Sequence, residues 1–355
     1  MTVSVGFLGA GFISRTHNFF LSHCPVDHRV TAVHDPDAER ARAFAERSGA
    51  TVMAEDELLD AVDLVVVTAW TSEHERLVAG AAERGVAVFC EKPLGVDATV
   101  AQRMVEVVET AQVPNHVGLV LRALPQFVYA RHLLADRRAG RPMTVVFRDD
   151  QFIPIQGHYG STWRVDPARC GRGTLLEHSI HDVDVLAFLL GSVRQVSGVV
   201  REFHGHPLID DLAVARLEFD GGAVAALTSV WHDLLDRPSL RRVEIFCEQL
   251  QITLDGTPDG ALGWQFAGGP RQALQGEELF AACLDAGLGR VVDRLGTRGG
   301  VMFNPLTPFL ESVVAGAPSP LPFRTALAAH RVVDAIYASA DAGGTPVAVD
   351  ATATG

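Results

Sequence analysis

The sequence predicts a two-domain α/β protein, with a parallel sheet in its N-terminal part and a mostly antiparallel sheet in the rest. Over residues 1–120, short apolar runs alternate with amphipathic helical stretches, which is typical of a parallel sheet covered by helices on both faces. Beyond residue 191, strand candidates follow one another without helical stretches between them. The length of 355 residues is sufficient for two domains. We place the domains at residues 1–122 and 123–355.

The N-terminal part contains five strand candidates, each a short apolar run of the kind that parallel sheets bury on both faces. Amphipathic helical stretches lie between them, for example at residues 37–48 and 74–84. The five strand candidates are Val3–Leu8, Val30–His34, Leu64–Thr68, Ala87–Cys90 and His116–Val120.

The second part begins with a helical stretch at residues 127–138 and a strand candidate at 143–147. After a loop and a further helix, the strand candidates are separated by DGG at 220–222 and DG at 255–256, which favour hairpin turns. A tail helix at about residues 325–342 would close the fold. The strand candidates after the helix are Val193–Phe203, Leu212–Phe219, Ala223–Trp231, Arg242–Cys247 and Leu250–Leu254.

Charge and cysteine content narrow the class of protein. The chain has 43 acidic and 30 basic residues, a net charge of −13 and no basic cluster, which argues against nucleic acid as a partner. Its five cysteines never form a C-x-x-C pair, so we expect reduced thiols rather than disulfides or a zinc ribbon. No apolar stretch approaches the length of a membrane span, and the N-terminus lacks the basic region of a signal peptide. We therefore expect a cytoplasmic protein with no membrane partner.

The first strand candidate runs into GAGFIS, which predicts a dinucleotide-binding turn. Gly9 allows the tight turn, and Gly11 lets the backbone approach a pyrophosphate. The helix that starts at Phe12 and Ile13 offers free N–H groups to the phosphate charge. Ser14 stands where Gly or Ala is usual and is small enough for close packing. The pattern has a strand before it and a helix after it, although a glycine-rich turn of an unrelated α/β protein is the alternative.

The second strand candidate is followed by Asp35, which predicts the choice of cofactor. An acidic side chain at this position would accept hydrogen bonds from the adenosine ribose hydroxyls and would repel a 2′-phosphate. We therefore expect NAD to be preferred over NADP.

A second motif, Glu91-Lys92-Pro93 in FCEKPLG, lies at the carboxyl end of a strand candidate, where open α/β sheets bind ligands. TAWTSEH, residues 68–74, follows another strand end, and GRGTLLEHSIHDVD, residues 171–184, opens a helix in the second domain. With the glycine turn, this combination resembles the Gfo/Idh/MocA oxidoreductases, the glucose–fructose oxidoreductase and inositol dehydrogenase family. The resemblance covers essentially the whole chain, including the tail from PFLESVV to GGTPV.

The resemblance implies a Rossmann domain followed by an α/β domain with a large, open, mostly antiparallel sheet. It implies that Lys92 contacts both cofactor and substrate, and that the bond between Lys92 and Pro93 is cis, as is common in relatives. The other residues that it places on the cofactor side are Ala69, Trp70, His74 and Glu91.

The chain departs from the family pattern at four places, which affects the inferred substrate more than the fold. The usual T-P-N is Ala69-Trp70-Thr71, and the usual G-G-G is Gly171-Arg172-Gly173. Glu177 replaces an aspartate four residues before the family's catalytic histidine. Of a common R-R pair, only the second arginine is present, as Arg122, which we predict to bind substrate.

The segment of residues 171–184 concentrates ionisable side chains at the start of an apolar helix. Residues four apart share a helix face, so we expect Glu177 and His181 to be neighbours, with Asp184 one turn further on. A carboxylate beside an imidazole fixes its tautomer and stabilises the imidazolium, which suits a general base that removes a hydroxyl proton. The apolar positions expected to pack into the core are Leu176, Ile180, Val183 and Leu190.

Other interpretations of this segment remain open. The side chains of Glu177, His178, His181 and Asp184 could be metal ligands. The order E-H-x-x-H matches neither H-E-x-x-H nor H-x-x-E-H, so we expect no metal. The polar side chains could also form only a solvated helix face. His178 could pair with Asp182 or line the substrate pocket. In the preceding loop, Trp163 could stack on a sugar ring or only anchor the loop.

Residues and resemblance together predict an NAD-dependent oxidoreductase that acts on a secondary hydroxyl of a sugar, sugar derivative or cyclitol. Lys92 would polarise the oxygen, His181 would move the proton, and Glu177 would orient His181, while Arg164 could bond several substrate hydroxyls. The alternatives are a redox-neutral enzyme that processes glycosides with bound NAD, and a non-catalytic NAD or sugar sensor on the same fold. The resemblance also implies a homodimer or homotetramer that uses the exposed face of the second sheet.

Overall fold

Six strands and their connecting helices form the N-terminal part of the computed structural model, which describes residues 2–256, 260–288, 295–297, 300–302 and 304–349. In chain order the elements are β1 (Val3–Leu8), α1 (Phe12–Ser22), β2 (His28–His34), α2 (Ala38–Ser48), β3 (Thr51–Val52), α3 (Glu55–Ala61), β4 (Leu64–Val67), α4 (His74–Glu83), β5 (Ala87–Cys90), α5 (Ala98–Thr110) and β6 (Asn115–Val117). The sheet has the order β3-β2-β1-β4-β5-β6 and is parallel throughout. This is the strand order of a Rossmann fold, in which ligands bind where the order reverses, beside the carboxyl ends of β1 and β4.

A nine-stranded sheet dominates the rest of the chain. Its elements and their neighbours are α6 (Pro125–Leu134), β7 (Pro142–Phe152), α7 (Pro167–Cys170), α8 (Thr174–Glu177), α9 (Ile180–Leu190), β8 (Val193–Arg201), β9 (Leu212–Phe219), β10 (Val224–His232), β11 (Leu240–Cys247), β12 (Leu250–Asp255), β13 (Leu262–Phe266), β14 (Gln272–Leu274), α10 (Gly276–Asp285), β15 (Leu295–Thr297), β16 (Gly300–Met302), α11 (Leu306–Ala315), α12 (Phe323–Asp341) and β17 (Val347–Ala348). The sheet order is β14-β13-β12-β11-β7-β10-β9-β8-β17, and β15 and β16 form a separate hairpin. Within the described strands of this sheet, only β7 and β10 pair in parallel. The predicted fold class is therefore confirmed.

The described residues divide into two compact units. The first comprises residues 1–119, 168–171 and 304–327, and the second comprises residues 120–167, 172–303 and 328–355. The segment 304–327 reaches the first unit from far along the chain: α11 places Leu306, Phe309 and Leu310 in the core of the Rossmann sheet. Local sequence patterns do not reveal such long-range packing, which is why residue 122 was the only boundary expected.

Capping residues explain where several helices of the first unit begin. The side chain of Asp37 accepts hydrogen bonds from the first turn of α2, and that of Asp97 accepts one from the backbone of Val100 in α5. Such caps satisfy N–H groups that have no partner within the helix. In contrast, α1 follows Gly11 and has no side-chain cap. The helix at the predicted dinucleotide turn thus keeps its N-terminus clear of capping side chains.

The second sheet has one covered face and one open face. Along β9, buried and exposed residues alternate, as expected for an antiparallel strand that packs on only one side. Large apolar side chains on the open face include Val146, Val199 and Val214, each at least 38% exposed. In the described part of the chain, no helix is long and apolar enough to cross a membrane.

Most strand predictions are correct within a few residues, and the differences follow from composition. β7 extends to Phe152 because the buried pair Asp149 and Asp150 continues the strand where the sequence looks like a polar loop. The hairpin turn at 220–222 is confirmed, whereas the turn at 255–256 runs into residues 257–259, which lie outside the described residues. The tail helix runs from Phe323 to Asp341. The sequence analysis missed several elements, including α3, α5, α10, α11, β3, β13, β14 and β17.

Candidate active site

Gly9 stands at a position of the glycine-rich turn where no side chain fits. Its φ is +105°, and a Cβ there would lie 2.8 Å from the carbonyl group of Thr68 and 2.9 Å from the backbone nitrogen of Ala69. Glycine alone tolerates both this conformation and this close backbone approach. The two chain segments that follow β1 and β4 therefore pack directly against each other.

Gly11 has a different environment, which fits a dinucleotide. A Cβ built on Gly11 would meet no described atom within 4 Å, so open space lies in front of the residue that precedes α1. Ser14 turns its hydroxyl back to the carbonyl oxygen of Gly11, at 2.7 Å, and Phe12 is 45% exposed. An uncapped helix N-terminus with open space before it suits the pyrophosphate of a dinucleotide, whose charge the first N–H groups stabilise.

These two glycines provide a matched pair of substitutions. We expect Gly9→Ala to lower the free energy of unfolding by at least ~1–2 kcal/mol, because it combines a positive φ with a backbone clash. Gly11→Ala should leave stability within ~0.5 kcal/mol. It should nevertheless weaken NADH binding by roughly tenfold or more, the equivalent of ~1.4 kcal/mol, since its methyl group would take the space of the pyrophosphate. Urea unfolding and NADH fluorescence titration measure the two effects; unchanged NADH binding in Gly11→Ala would contradict the assignment.

Asp35 follows β2 directly, and its carboxylate is fixed by the backbone. One oxygen accepts a hydrogen bond from the backbone nitrogen of Ala10 at 2.7 Å, and the other accepts one from that of Asp37 at 2.8 Å. The contact with Ala10 ties the negative charge of Asp35 to the glycine-rich turn. Each carboxylate oxygen retains further acceptor capacity for a hydroxyl group.

The side chain of His74 ties the segment after β4 to the segment after β5. It is 1% exposed, with Nδ1 at 3.1 Å from the carbonyl oxygen of Pro93 and Nε2 at 3.2 Å from that of Ala69. Burial lowers the pKa of His74, although its contacts with backbone carbonyl oxygens oppose the change. Trp70 is partly exposed, and the guanidinium of Arg169 lies 4.0 Å from the centre of its ring. The side chain of His74 thus contacts the backbone. Of the two predicted cofactor residues His74 and Trp70, Trp70 is the more accessible.

Glu91 also turns into the protein. Its Oε1 lies 2.6 Å from Nε2 of His17, and its Oε2 accepts a hydrogen bond from the backbone nitrogen of Lys92 at 3.0 Å. Lys92 itself is partly exposed at the end of β5, and the bond between Lys92 and Pro93 is cis, as expected. Glu91 thus supports the backbone of Lys92 at the end of β5.

The segment predicted as one helix is interrupted between Glu177 and His181. α8 ends at Glu177 and α9 begins at Ile180. The backbone nitrogen of Ser179 donates to the carbonyl oxygen of Thr174 at 2.9 Å, a five-residue span that ends the first helix. His178 and Ser179 form the break, and the helical spacing on which the prediction relied does not apply across it.

Buried polar contacts impose this break. Asp210 accepts hydrogen bonds from the backbone nitrogens of Gly173 and Leu175, at 2.9 and 3.0 Å. A Cβ at Gly173 would overlap the carbonyl oxygen of Asp210, so this second glycine of the G-R-G segment is required by packing. Ser229, on β10, lies 2.8 Å from the hydroxyl of Thr174 and 2.6 Å from that of Ser179. Asp210, in the loop before β9, and Ser229, on β10, are both distant in sequence from the segment that they hold.

The ionisable side chains of this segment are buried, so a merely solvated helix face is excluded. Glu177 is 3% exposed, His181 is 8% exposed, and Asp182 and Asp184 are at most 1% exposed. The apolar side chains of Leu176, Ile180 and Val183 are buried as expected, whereas Leu190 is only partly buried. Buried charges require partners, and three arginines of the same unit supply them.

Two of these arginines pair with one carboxylate each. Arg122 binds Asp184 with two hydrogen bonds of 2.6 and 2.7 Å, a bidentate geometry. Arg164 donates from Nε to Glu177 at 3.0 Å, and its guanidinium lies 4.8 Å from the centre of the Trp163 ring. Arg164 and Trp163, both predicted as substrate residues, are thus fixed against each other and against Glu177.

The third arginine, Arg241, organises a cluster with His178. Its guanidinium lies 2.9 Å from Asp182 and 2.8 Å from Asp149, and Nε2 of His178 lies 2.7 Å from Asp149. Nε2 of His178 also lies 2.9 Å from the guanidinium of Arg241, so the ring stands beside both Arg241 and Asp149. No sequence motif marks Asp149 or Arg241, which lie on β7 and β11 and are distant from this segment along the chain.

Burial, together with the nearby charge of Asp149, raises the pKa of Asp182 to about 7, although the charge of Arg241 opposes the rise. Burial also raises the pKa of Asp149. One guanidinium between two buried carboxyl groups makes it unfavourable for both to be ionised.

The raised pKa of Asp182 predicts a pH-dependent contribution to stability. Because the folded chain holds a proton that the unfolded chain releases, this contribution is complete below pH 3.8 and is lost as the pH rises to about 7. Asp182→Asn should remove the loss, so the variant should gain stability relative to the parent protein between pH 5 and pH 8. Urea unfolding at both pH values tests this, with the exposed Asp236→Asn as control. A stability difference that does not change with pH would contradict it.

Metal ligation has no geometric support in this segment. In the described ranges, no three or more His, Cys, Asp or Glu side chains are arranged to hold a metal ion. Glu177 and His178, two of the candidate ligands, bond to Arg164 and Asp149.

Two family models match the chain. Residues 3–119 match GFO_IDH_MocA, described as an oxidoreductase family with an NAD-binding Rossmann fold. Residues 127–253 match the GFO/IDH/MocA C-terminal domain. Together the two matches cover well over half of the chain.

The chain is also similar to bacterial inositol dehydrogenases. It is 33% identical over 195 residues to inositol 2-dehydrogenase of Rhizobium meliloti, which covers 54% of this chain and 56% of the relative. It is 41% identical over 207 residues to inositol 2-dehydrogenase 3 of Saccharopolyspora erythraea, 57% of each chain. The matches therefore span less than two thirds of the length of these relatives.

Solved structures of similar fold cover nearly the whole chain. An oxidoreductase domain protein from Kribbella flavida has a TM-score of 0.84 at 22% identity, with 99% of this chain and 100% of that chain covered. A levoglucosan dehydrogenase in complex with NADH and levoglucosan has a TM-score of 0.85 at 19% identity, with the same coverage. At these identities the likeness establishes the fold.

Proposed function

The chain belongs to the Gfo/Idh/MocA oxidoreductase family, and we propose that it is an NAD-dependent dehydrogenase that oxidises a secondary hydroxyl group of a sugar, sugar derivative or cyclitol. The observation that carries the proposal is the glycine-rich turn, where the space in front of Gly11 and the uncapped start of α1 fit a pyrophosphate. The backbone of Phe12 and Ile13 would contact it. Ala69 and Trp70, in the segment after β4, would flank the cofactor.

Asp35 supports NAD as the cofactor in preference to NADP. Its contact with the backbone of Ala10 holds the carboxylate beside the turn that would bind the pyrophosphate. A carboxylate accepts hydrogen bonds from ribose hydroxyls and repels a 2′-phosphate. NADP that binds more tightly than NAD to the unmodified protein would contradict this assignment.

A neutral polyhydroxylated substrate suits the charges of the second unit. Arg122, Arg164 and Arg241 are each paired with at least one buried carboxylate, so none of them is left with an unbalanced positive charge. Arginines held in this way present N–H groups to hydroxyl oxygens in fixed directions. The relatives named inositol 2-dehydrogenase and the similar fold of a levoglucosan dehydrogenase agree with a cyclitol or sugar.

In the proposed reaction, bound NAD supplies the hydride acceptor. The ammonium group of Lys92 hydrogen-bonds to the reacting oxygen and stabilises the charge that develops as its proton leaves. His181 accepts that proton on its imidazole ring, so that the electrons of the O–H bond complete the carbonyl. Glu177, whose carboxylate is fixed by Arg164, is the proposed orienting group for His181.

The remaining substrate contacts are proposed from position and chemistry. Trp163 would stack on the apolar face of the ring, and Arg164 beside it would bond ring hydroxyls. Nε2 of His178 lies 2.7 Å from Asp149 and 2.9 Å from the guanidinium of Arg241, and His178 is proposed to line the substrate pocket. Arg122, fixed by Asp184, completes the set.

A homodimer or homotetramer is the proposed assembly. The open face of the second sheet exposes Val146, Val199 and Val214, which lie on β7, β8 and β9. Extended apolar patches of this kind are commonly covered by a partner. Light scattering during gel filtration tests the proposal, and Val214→Lys should shift the protein towards the monomer.

A substrate screen tests the proposed activity. The protein is incubated with NAD and a panel of inositols, hexoses and anhydrosugars, and both reduced cofactor and carbohydrate product are quantified. Net NADH with a matching ketone product supports the dehydrogenase. Product formed without net NADH would identify a redox-neutral enzyme instead, and ligand binding without turnover would identify a sensor.

A further inference from the structure

A buried pair, His17 and Glu91, joins α1 to the segment that carries Lys92. His17 lies on α1 and is 1% exposed, and Glu91 follows β5 and is 9% exposed. Nε2 of His17 and Oε1 of Glu91 are 2.6 Å apart. This distance is short for a hydrogen bond between nitrogen and oxygen in a protein, as expected when the acceptor is ionised.

The surroundings determine which atom carries the proton. Nδ1 of His17 is buried and has no hydrogen-bond partner among the described atoms, so a proton there would be unsatisfied. The geometry therefore favours donation from Nε2 of His17 to Glu91. Burial would raise the pKa of Glu91, but the hydrogen bond to His17 and the electrostatic interactions with His17 and Lys92 outweigh it, so that the pKa is lowered. The rings of Phe89 and Phe20 pack edge-on against His17, with centroids at 4.9 and 5.9 Å, and fix its orientation.

The second oxygen of Glu91 extends the contact to Lys92. Oε2 accepts a hydrogen bond from the backbone nitrogen of Lys92 at 3.0 Å. Gly118, after β6, leaves the space that this carboxylate occupies, because a Cβ there would lie 2.9 Å from Oε1. The carboxylate of Glu91 is thus confined between α1, β5 and the residue after β6, and it holds the backbone of Lys92 at the strand end.

We propose that His17 is a positioning residue for catalysis: it fixes the carboxylate of Glu91, which in turn fixes the backbone of Lys92 and places a negative charge beside its ammonium group. The proposal rests on the role given to Lys92 in the proposed function. It assigns a task to two polar side chains that the pyrophosphate site and the proton transfer do not use. It also explains why Lys92 is partly exposed while the preceding Glu91 is buried.

Two substitutions separate the hydrogen bond from the packing. His17→Phe keeps an aromatic ring against Phe89 but removes the donor, and His17→Gln restores an N–H close to the position of Nε2. We expect His17→Phe to lower kcat by roughly 10- to 100-fold, the effect of losing a hydrogen bond to a charged group. The KM for NAD should change less than threefold. In His17→Phe the acid limb of the kcat profile should move to higher pH, because Glu91 is then protonated more easily, and His17→Gln should reverse both effects.

A coupling experiment shows whether the effect passes through Lys92. In a Lys92→Ala background, His17→Phe should cause little further loss of kcat. Equal losses in both backgrounds, or no recovery in His17→Gln, would overturn the proposal and leave His17 with a purely structural role.

A second readout does not require turnover, so it separates this proposal from the proposed function. The rate at which an amine-reactive reagent labels Lys92 is measured by peptide mass spectrometry in the parent protein and both variants. A rate that changes at least threefold in His17→Phe and returns in His17→Gln supports the positioning role even if no polyol is oxidised. An unchanged labelling rate overturns it, whatever the result of the substrate screen.

Discussion

Replacing His181 with alanine is expected to lower kcat by roughly 10²–10⁴-fold, the usual contribution of a positioned proton acceptor. The side chain is 8% exposed and lies on the first turn of α9, where the break after α8 fixes the direction of the helix. Without the imidazole, the hydroxyl proton has no acceptor at this position. NAD affinity should change little, because Gly9 and Gly11 belong to the other unit.

The pH profile and two companion variants make this test specific. The rising limb of kcat/KM in the oxidation direction should disappear in His181→Ala. Glu177→Gln should cost less, because an amide oxygen can still accept from Arg164 but cannot stabilise a positive imidazolium. The exposed His132, on α6 of the same unit, provides a histidine-to-alanine control that should retain activity. Near-normal turnover with an unchanged limb in His181→Ala would mean that the proton goes elsewhere, most simply to Lys92.

Replacing Lys92 with methionine is expected to lower kcat/KM by roughly 10²–10³-fold, the effect of removing one donor that stabilises a developing oxyanion. Methionine preserves the length of the side chain without the charge, so the loss would report the ammonium group itself. The hydrogen bonds of Glu91 to His17 and to the backbone of residue 92 should persist, since neither uses the side chain of Lys92.

The matched control for Lys92 is arginine, which keeps the charge but not the geometry. Lys92→Arg should recover only part of the activity, because a planar guanidinium cannot replace a compact ammonium group at the same atom. Fluorescence titration with NADH verifies that each variant still binds cofactor. Normal kcat/KM in Lys92→Met would remove Lys92 from the reaction and transfer the stabilising role to another donor.

The fold and the candidate site residues of the first unit can be predicted closely from the sequence, because short sequence patterns indicate them. A glycine at φ +105° must be glycine wherever it occurs, and the open space before Gly11 follows from the same turn. Asp35 and Lys92 also lie where short strand patterns end. Sequence patterns that span only a few positions therefore identify these residues. A strand followed by G-A-G identifies the turn, and the ends of later strands identify Asp35 and Lys92.

The second unit is predicted less well, because the contacts of its polar side chains join segments that are distant in sequence. Helical spacing predicted that Glu177 and His181 share a face, but Asp210 and Ser229 interrupt the helix from elsewhere in the chain. Arg241 and Asp149 come from two strands of the sheet and have no sequence motif. The same reason applies to His17, which looks like an ordinary helix residue until Glu91 is placed beside it.

The measurement that tests the central claim most directly is transfer of deuterium from the carbinol carbon of a substrate to NAD. A polyol that is active in the screen is prepared with deuterium on the carbon that becomes the ketone, and the NADH formed is analysed by mass spectrometry. The account predicts NADH that carries one deuterium per ketone, together with a slower reaction than that of the unlabelled substrate. Ketone or cleavage product that accumulates without deuterium in NADH would contradict a net hydride transfer from a secondary alcohol to the cofactor.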